Sequence, residues 1–260
     1  MKREKTKIEL EYQNTDDNAP VRLNKFLSES GICSRREADR LIQLGKVWVD
    51  NERASCGMKV FQNQEVRVGQ KKIKNKPDMV LLAVNKPAGI VCTEERRERN
   101  SIIRFLKYPT RITYIGRLDK DSEGLLLMTN NGDIINRIMR ASNFHEKEYI
   151  VKVKEEITEE FLLQMRSGVE ILGTLTRPCK VEQIGKYTFR IILTQGLNRQ
   201  IRRMCTALKY EVKSLRRIRI MNIELGDLKE GEYRMLSEVE LECLYKGIQH
   251  SPNTGAWERR

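Results

Sequence analysis

The sequence predicts an α+β protein made of two unequal modules, and three observations carry that reading. Short runs rich in β-branched and aromatic residues are separated by isolated amphipathic helices, which fits a sheet with flanking helices better than a doubly wound alternation. No strand-like run leads into a Gly-x-Gly-x-x-Gly turn or a Walker glycine loop, and no internal repeat is present. The positive charge falls into two blocks: the chain of 260 residues carries a net charge of +13, residues 22–76 hold 13 Lys and Arg against 6 acids, and residues 196–220 hold 8 against 1. Each block nets +7 and the remainder nets −1. Charge concentrated in this way, with the second block almost free of acids, suits a surface that tracks a polyanion, nucleic acid before membrane.

The rest of the composition narrows the class. No apolar run approaches the roughly 18 residues of a membrane span; Met79 to Val84 is the longest clear one. The N-terminal Met1-Lys2-Arg3-Glu4-Lys5 has no apolar core behind it, so no signal peptide is expected. Six scattered cysteines (Cys33, Cys56, Cys92, Cys179, Cys205 and Cys243) form no Cys-x-x-Cys pair, and the chain has only two histidines, His145 and His250. Zinc spacing is absent, and reduced, mostly buried thiols in a cytoplasmic protein are expected.

Residues 1–20 are polar, carry mixed charge and read as a mobile leader. A first module follows over 21–70. Leu23, Phe26, Leu27 and Ser30 give one helix face, stopped by Gly31. Ser34-Arg35-Arg36-Glu37 is a capping box: Ser34 can accept from the Glu37 N–H, and Glu37 can reach back. Ala38, Leu41 and Ile42 supply the apolar stripe of the second helix, Gly45 ends it, and Arg35, Arg36 and Arg40 are left outside. Val47-Trp48-Val49, a turn at Asp50-Asn51, and Glu65 to Gly69 read as short strands. Two small helices presenting arginines beside a tiny sheet make a binding module. This segment resembles the S4 RNA-binding domain, through Arg22-Leu23-Asn24-Lys25, Ser34-Arg35-Arg36-Glu37-Ala38, Leu41-Ile42 and Gly45-Lys46-Val47. The lysine-rich stretch over 71–77 reads as the linker.

The larger module spans 78–246, before a C-terminal tail over 247–260. Met79 to Val84 reads as a buried strand and Lys86-Pro87-Ala88-Gly89 as a turn. Ile112-Thr113-Tyr114-Ile115 is a strand that closes at Gly116, and a second apolar run extends from Leu125 to Met128. Between them, Gly116-Arg117-Leu118-Asp119 presents one carboxylate on a short loop held by buried strands. An Asp in a turn ordinarily just satisfies backbone N–H groups; only the rest of the chain favours chemistry at this one. Thr158, Glu159 and Glu160 start a helix that turns Phe161, Leu162 and Met165 inward before Gly168. Thr188 to Leu193 has strand composition. Ile201, Met204, Cys205 and Leu208 recur at helical spacing, so residues 199–209 form an amphipathic helix with Arg199 and Arg202 near its start.

The larger module resembles the RsuA-like pseudouridine synthases, and within them the RluF-type branch that acts on large-subunit ribosomal RNA. Five motifs in order carry the resemblance: Asn85-Lys86-Pro87-x-Gly89, Gly116-Arg117-Leu118-Asp119, Gly124-Leu125-Leu126, Lys147-Glu148-Tyr149 and Gln200-Ile201-Arg202-Arg203. The phrases Ser28 to Ser34, His145 to Tyr149 and Gly196 to Gln200 extend it over residues 21–246. Ser122 stands where the family often has Thr, and Leu197 where it often has Arg; neither touches the chemistry.

The resemblance implies a mixed or antiparallel sheet domain with flanking helices that isomerises a uridine to pseudouridine. The N1–C1′ bond breaks, the base turns over, and it rejoins through C5. No cofactor and no metal are implied. The catalytic residues implied are Asp119, Tyr149, packed on the base and able to take the C5 proton, and Arg202, the basic partner of the aspartate. Arg117 is the side chain implied to fill the gap left by the flipped base, its bland alternative being a local salt bridge. RNA contacts are expected from Arg22, Lys25, Arg35, Arg36, Arg40, Arg117, Arg199, Arg203, Arg216, Arg217 and Arg219, and His145 is expected on the surface or in a loop. The expected partner is large-subunit ribosomal RNA, with a tRNA as a second substrate left open, for a cytoplasmic monomer without membrane contact. Two other readings share the composition: a non-enzymatic S4-type RNA-binding or ribosome assembly factor, and an aminoacyl-tRNA synthetase fragment. The synthetase reading lacks a nucleotide-binding signature.

Overall fold

The structure, a computed structural model, describes residues 19–61, 63–73, 77–95, 97–139 and 144–249. Most of the expected leader, the middle of the expected linker, His250 and the end of the tail lie outside these residues. The chain forms two compact units.

In the first unit, β1 (Val21–Arg22) leads into helix α1 (Leu23–Glu29), which buries Leu23 and Leu27. Helix α2 (Arg35–Gln43) starts where the capping box places it: Ser34 Oγ accepts from Glu37 N–H at 3.2 Å. The Glu37 carboxylate receives Arg40 Nε at 3.0 Å and Nη2 at 2.9 Å. Ala38 and Ile42 face the core. Strands β2 (Val47–Val49) and β3 (Glu52–Arg53) are joined by Asp50 and Asn51, both left-handed, as a two-residue hairpin requires. β4 (Lys59–Val60) pairs with β1. β5 (Val66–Val68) pairs with β2 and with β6 (Lys71–Lys72). The linker therefore starts later than the lysine-rich composition suggests. Lys71 and Lys72 belong to the small sheet, and Ile73 is buried in this unit's core. An edge strand tolerates lysines because only its backbone must pair.

The second unit is built on a nine-stranded mixed sheet. Its strands are β7 (Leu81–Lys86), β8 (Thr113–Ile115), β9 (Glu123–Thr129) and β10 (Lys147–Val153), then, after a separate two-stranded hairpin of β11 (Glu170–Ile171) and β12 (Thr174–Leu175), β13 (Lys180–Gly185), β14 (Thr188–Leu193), β15 (Val212–Ile220), β16 (Ile223–Glu224) and β17 (Tyr233–Met235). The main path runs β13-β14-β10-β15-β9-β7-β17, with β8 on β9 and β16 on β15. Every pairing is antiparallel except that of β15 with β9. The first strand starts at Leu81, two residues later than the apolar run, and takes in Lys86, which composition assigned to the turn.

The helices are α3 (Ile102–Leu106), α4 (Gly132–Met139), α5 (Glu159–Ser167), α6 (Gln200–Ala207) and α7 (Glu238–Gln249). Thr158 caps α5 by accepting from Phe161 N–H at 3.2 Å. Phe161, Leu162 and Met165 then pack with Phe189 of β14 and Met204 of α6 in one core. The described part of the expected tail continues α7. β7 and β9 are buried along almost their whole length, and each fully buried Leu of β9 contributes about 2 kcal/mol. The cysteines are free, but only Cys92 and Cys205 are buried; Cys56 and Cys243 are exposed.

The parallel junction of β9 with β15 depends on Gly124. Its φ is +98°, and a Cβ there would lie 2.2 Å from the carbonyl oxygen of Arg217 and 2.9 Å from its nitrogen. Gly124→Ala is expected to destabilise the second unit by about 3 kcal/mol or more, through backbone overlap added to positive-φ strain. Gly173→Ala, at φ +69° with nothing within 4 Å of a new Cβ, is expected to cost only about 1 kcal/mol. Urea unfolding of the two variants measures the difference; equal losses would mean that the close approach at Gly124 is unimportant.

Candidate active site

Asp119 lies on the loop between β8 and β9, and the loop is held by its backbone. Ser122 N–H donates to Asp119 O at 3.1 Å. Lys120 O accepts from Gly89 N–H at 2.8 Å and from Lys86 Nζ at 3.4 Å. Asp121 O accepts from Arg202 Nη2 at 2.9 Å. Three successive carbonyls are thus tied down: that of Asp119 within the turn, that of Lys120 to β7 and its following turn, and that of Asp121 to α6. The Lys86 ammonium is fully buried, and burial lowers its pKa; it also donates to Pro87 O at 2.8 Å and Ile90 O at 2.7 Å. These contacts replace the water it loses. Ser122 is buried, with its Oγ 3.5 Å from Arg202 Nη2.

The held loop leaves the Asp119 carboxylate about one-third exposed, at the wall of a cavity of about 310 Å³. Arg199 stands 3.6 Å from it through Nη1. Arg199 is the N-cap of α6 in left-handed conformation, with φ +51°, and this turns its side chain back over the loop. Arg202, the partner implied by the resemblance, lines the same cavity but forms no ion pair with Asp119 among the described residues. Its Nη1 donates to Val212 O at 3.4 Å, and its Nη2 holds Asp121. One helical turn separates the two roles: the residue at the cap reaches the carboxylate, and the one inside the helix reaches the loop backbone.

Tyr149 lines the cavity from β10, opposite Arg217 of β15. Arg217, one of the expected RNA contacts, is 2% exposed, donates Nε to Leu125 O at 2.7 Å, and holds its guanidinium 6.0 Å from the Tyr149 ring. Lys147, two residues before Tyr149, also lines the cavity and donates Nζ to His145 O at 3.1 Å. Burial, reinforced by the neighbouring Arg217 charge, brings the Lys147 pKa down to about 8. Lys147 belongs to the Lys147-Glu148-Tyr149 motif but carries no role in the sequence reading, although its i, i+2 spacing to Tyr149 on a strand places both on one face.

Arg219, another expected RNA contact, is half-buried: its Nε donates to Glu148 Oε2 at 2.7 Å and its Nη2 to Glu146 Oε2 at 2.9 Å, so two carboxylates balance its charge. Alternation would put Arg217 and Arg219 on one face, but a bulge shifts the β10–β15 register between Glu148 and Tyr149 and parts them. Arg216 is exposed on β15. Arg117 is exposed at the cavity wall and makes no salt bridge among the described residues. Arg203 is exposed and braced by Asn198, with Nε to O at 3.1 Å. In the first unit, Arg22, Arg35, Arg36 and Arg40 are exposed, while Lys25 lies 3.7 Å from Glu29. His145 does precede β10 in a loop, but it is buried, not on the surface. Its Nδ1 lies 3.2 Å from Ile138 O, and burial lowers its pKa.

The RNA pseudouridylate synthase family matches residues 80–207, and the S4 domain matches residues 21–66. The chain is 52% identical over 236 residues to the dual-specificity RNA pseudouridine synthase RluF of Escherichia coli K12, covering 90% of this chain and 81% of that one. It is 34% identical over 241 residues to the ribosomal large subunit pseudouridine synthase B of Bacillus subtilis, covering 89% and 98%. A crystal structure of a pseudouridylate synthase superposes with a TM-score of 0.64 at 30% identity, over 86% of this chain and 99% of that one.

Removing the Arg219 charge leaves Glu148 buried without its closest cation. Arg219→Gln is expected to lower stability by about 2 kcal/mol or more and to leave the salt dependence of RNA binding unchanged. Chemical denaturation and binding isotherms at several salt concentrations check both halves. A flatter salt dependence in this variant would return Arg219 to the RNA surface.

Proposed function

This chain belongs to the RNA pseudouridylate synthase family and is an RNA pseudouridine synthase with an S4 module, and from that premise we propose that it isomerises a uridine of large-subunit ribosomal RNA at Asp119. The non-enzymatic binder and the synthetase fragment fall with the family assignment. The observation that carries the site is Asp119 on a backbone-clamped loop, opening into the cavity that Tyr149 lines. The ribosomal large subunit named for the Bacillus subtilis relative supports the substrate class. The dual specificity named for the Escherichia coli relative supports a second RNA substrate, for which tRNA is our candidate. We read the protein as a cytoplasmic monomer; no helix among the described residues is long and apolar enough to cross a membrane.

The target base leaves its stack, at a cost of a few kcal/mol, and enters the cavity. Arg117, exposed and free of a salt bridge at the cavity wall, fills the vacated position. Asp119 acts at the sugar or base with Arg199 supplying the positive charge beside it, while Arg202 keeps the loop in place as a positioning residue. Tyr149 packs on the base, and its hydroxyl, without a partner among the described residues, is the group for the C5 proton. The S4 module supplies affinity through Arg35, Arg36 and Arg40, and Arg216 adds a contact from the second unit.

Asp119→Asn keeps size and hydrogen-bonding capacity but loses the charge. The single-turnover rate of pseudouridine formation is expected to drop by at least about a hundredfold, with the unfolding midpoint and RNA affinity unchanged. A rate within tenfold of the parent would remove Asp119 from the chemistry. Replacing Arg35 and Arg36 with Gln should lower the log–log salt slope by roughly one to two contacts, at about 0.7 per phosphate. Single-turnover rates at saturating RNA should not change. Rates that fall together with affinity would mean that the S4 module also positions the uridine.

A further inference from the structure

We propose that Lys147 and Arg217 form an anion site for the uracil ring while it is detached from the ribose. The inference rests on the reading above, that the cavity beside Asp119 receives the target uridine. Two observations carry it. Lys147 and Tyr149 share a face of β10, and Arg217 stands opposite Tyr149 on β15, so both cations line the cavity that Asp119 borders. Both also keep unused donors. The Lys147 ammonium has three N–H groups and, among the described residues, one hydrogen-bond partner, His145 O. Arg217 uses Nε on Leu125 O, but its Nη2 is buried with no partner.

Neither cation has a carboxylate within ion-pair distance among the described residues. Glu148 is engaged by Arg219 and Arg190, and Asp119 by Arg199. Two neighbouring cations, Arg217 buried and Lys147 half-buried, are unfavourable without a counter-ion. Burial chiefly, and the Arg217 charge after it, bring the Lys147 pKa to about 8. A negative charge is what this part of the cavity lacks.

The reaction generates one. When the N1–C1′ bond breaks, its electron pair stays with the ring, delocalised over N1 and the two carbonyl oxygens. The ring must turn over before C5 bonds to C1′, so it is best held through an oxygen rather than through N1. Lys147 and Arg217 donate hydrogen bonds to the anion and consume no proton; the C5 proton leaves and N1 gains one when the ring rejoins. Preorganised donors aimed at charge that develops during the reaction lower the barrier more than they aid binding. A backbone phosphate is the competing anion. It would be present before the chemical step, so losing its cation would weaken binding instead.

The test compares the parent, Lys147→Met and Lys147→Arg in single turnovers at saturating RNA, with uridine or 5-fluorouridine at the target position. Consumption of the N-linked nucleoside is followed by chromatography of digested RNA. Fluorine stabilises the ring anion by itself. Lys147→Met should therefore lose roughly a hundredfold on uridine and roughly tenfold or less on 5-fluorouridine. Lys147→Arg should recover most of the rate, because it keeps the charge.

Lys147 acts in its protonated form, so the parent kcat/KM should fall as pH rises through about 8, and Lys147→Arg should move that fall upward. The titratable and charged groups around Lys147 are Arg217 on β15 and His145 ahead of β10, with Arg117 and Asp119 on their loop, Arg199 at the cap of α6 and Arg202 within it lining the same cavity. Equal losses on the two target bases would mean that Lys147 only braces the His145 loop, and a loss confined to KM and the salt slope would assign the site to phosphate. Either overturns the inference. If Lys147→Met does not fold, the same comparison is made with Lys147→Gln. A parent that converts no uridine would instead defeat the proposed function, a result separable from any effect of Lys147.

Discussion

The site depends on a loop whose carbonyl oxygens point at fixed donors. Asp119, Lys120 and Asp121 each offer their backbone oxygen to a different partner: Ser122 within the turn, Lys86 with Gly89 from β7 and its turn, and Arg202 from α6. A carboxylate cannot be held by its own charges alone if it is to stay available to a substrate. Holding the backbone leaves the side chain one-third exposed and in loose contact with Arg199. At 3.6 Å and with both partners open to solvent, that ion pair is weak and gives way easily. The clamp requires burying the Lys86 ammonium, which is tolerable because three carbonyl oxygens surround it.

The same constraint explains why distant parts of the chain converge on the loop. Arg202 reaches it from the first turn of α6, which follows the left-handed cap Arg199 and is anchored to the core through Ile201, Met204 and Cys205. The loop enters β9 beside the parallel junction with β15, where Gly124 lets the two backbones approach. Arg217 pairs with Gly124 at that junction, and the antiparallel β10–β15 pairing places it opposite Tyr149. One bulge at the β10–β15 pairing then separates the two arginines that flank Ile218. Arg217 is directed to the cavity, and Arg219 to the ion pairs with Glu146 and Glu148.

The amino-acid sequence by itself determined what is local. The Ser34 and Thr158 caps, the Asp50-Asn51 turn, the apolar stripe of α6 and the strand–loop–strand around Asp119 all follow from short-range hydrogen bonding and periodicity, and the structure contains each of them. The two basic blocks were equally plain in composition. What composition could not decide is where each charge points. Of the arginines between 196 and 220, one faces Asp119, one braces a loop, one is buried beneath Tyr149, and one is spent on Glu146 and Glu148. Their assignment turns on a helix cap with positive φ and a single extra residue in a strand, and a residue's own neighbours in sequence specify neither. Lys71 and Lys72, expected in a linker, belong to an edge strand because β5 supplies the pairing. Lys147 stands in a motif legible in the sequence, but its relation to Arg217, seventy residues away, arises only from the tertiary pairing that brings the two cations into one cavity.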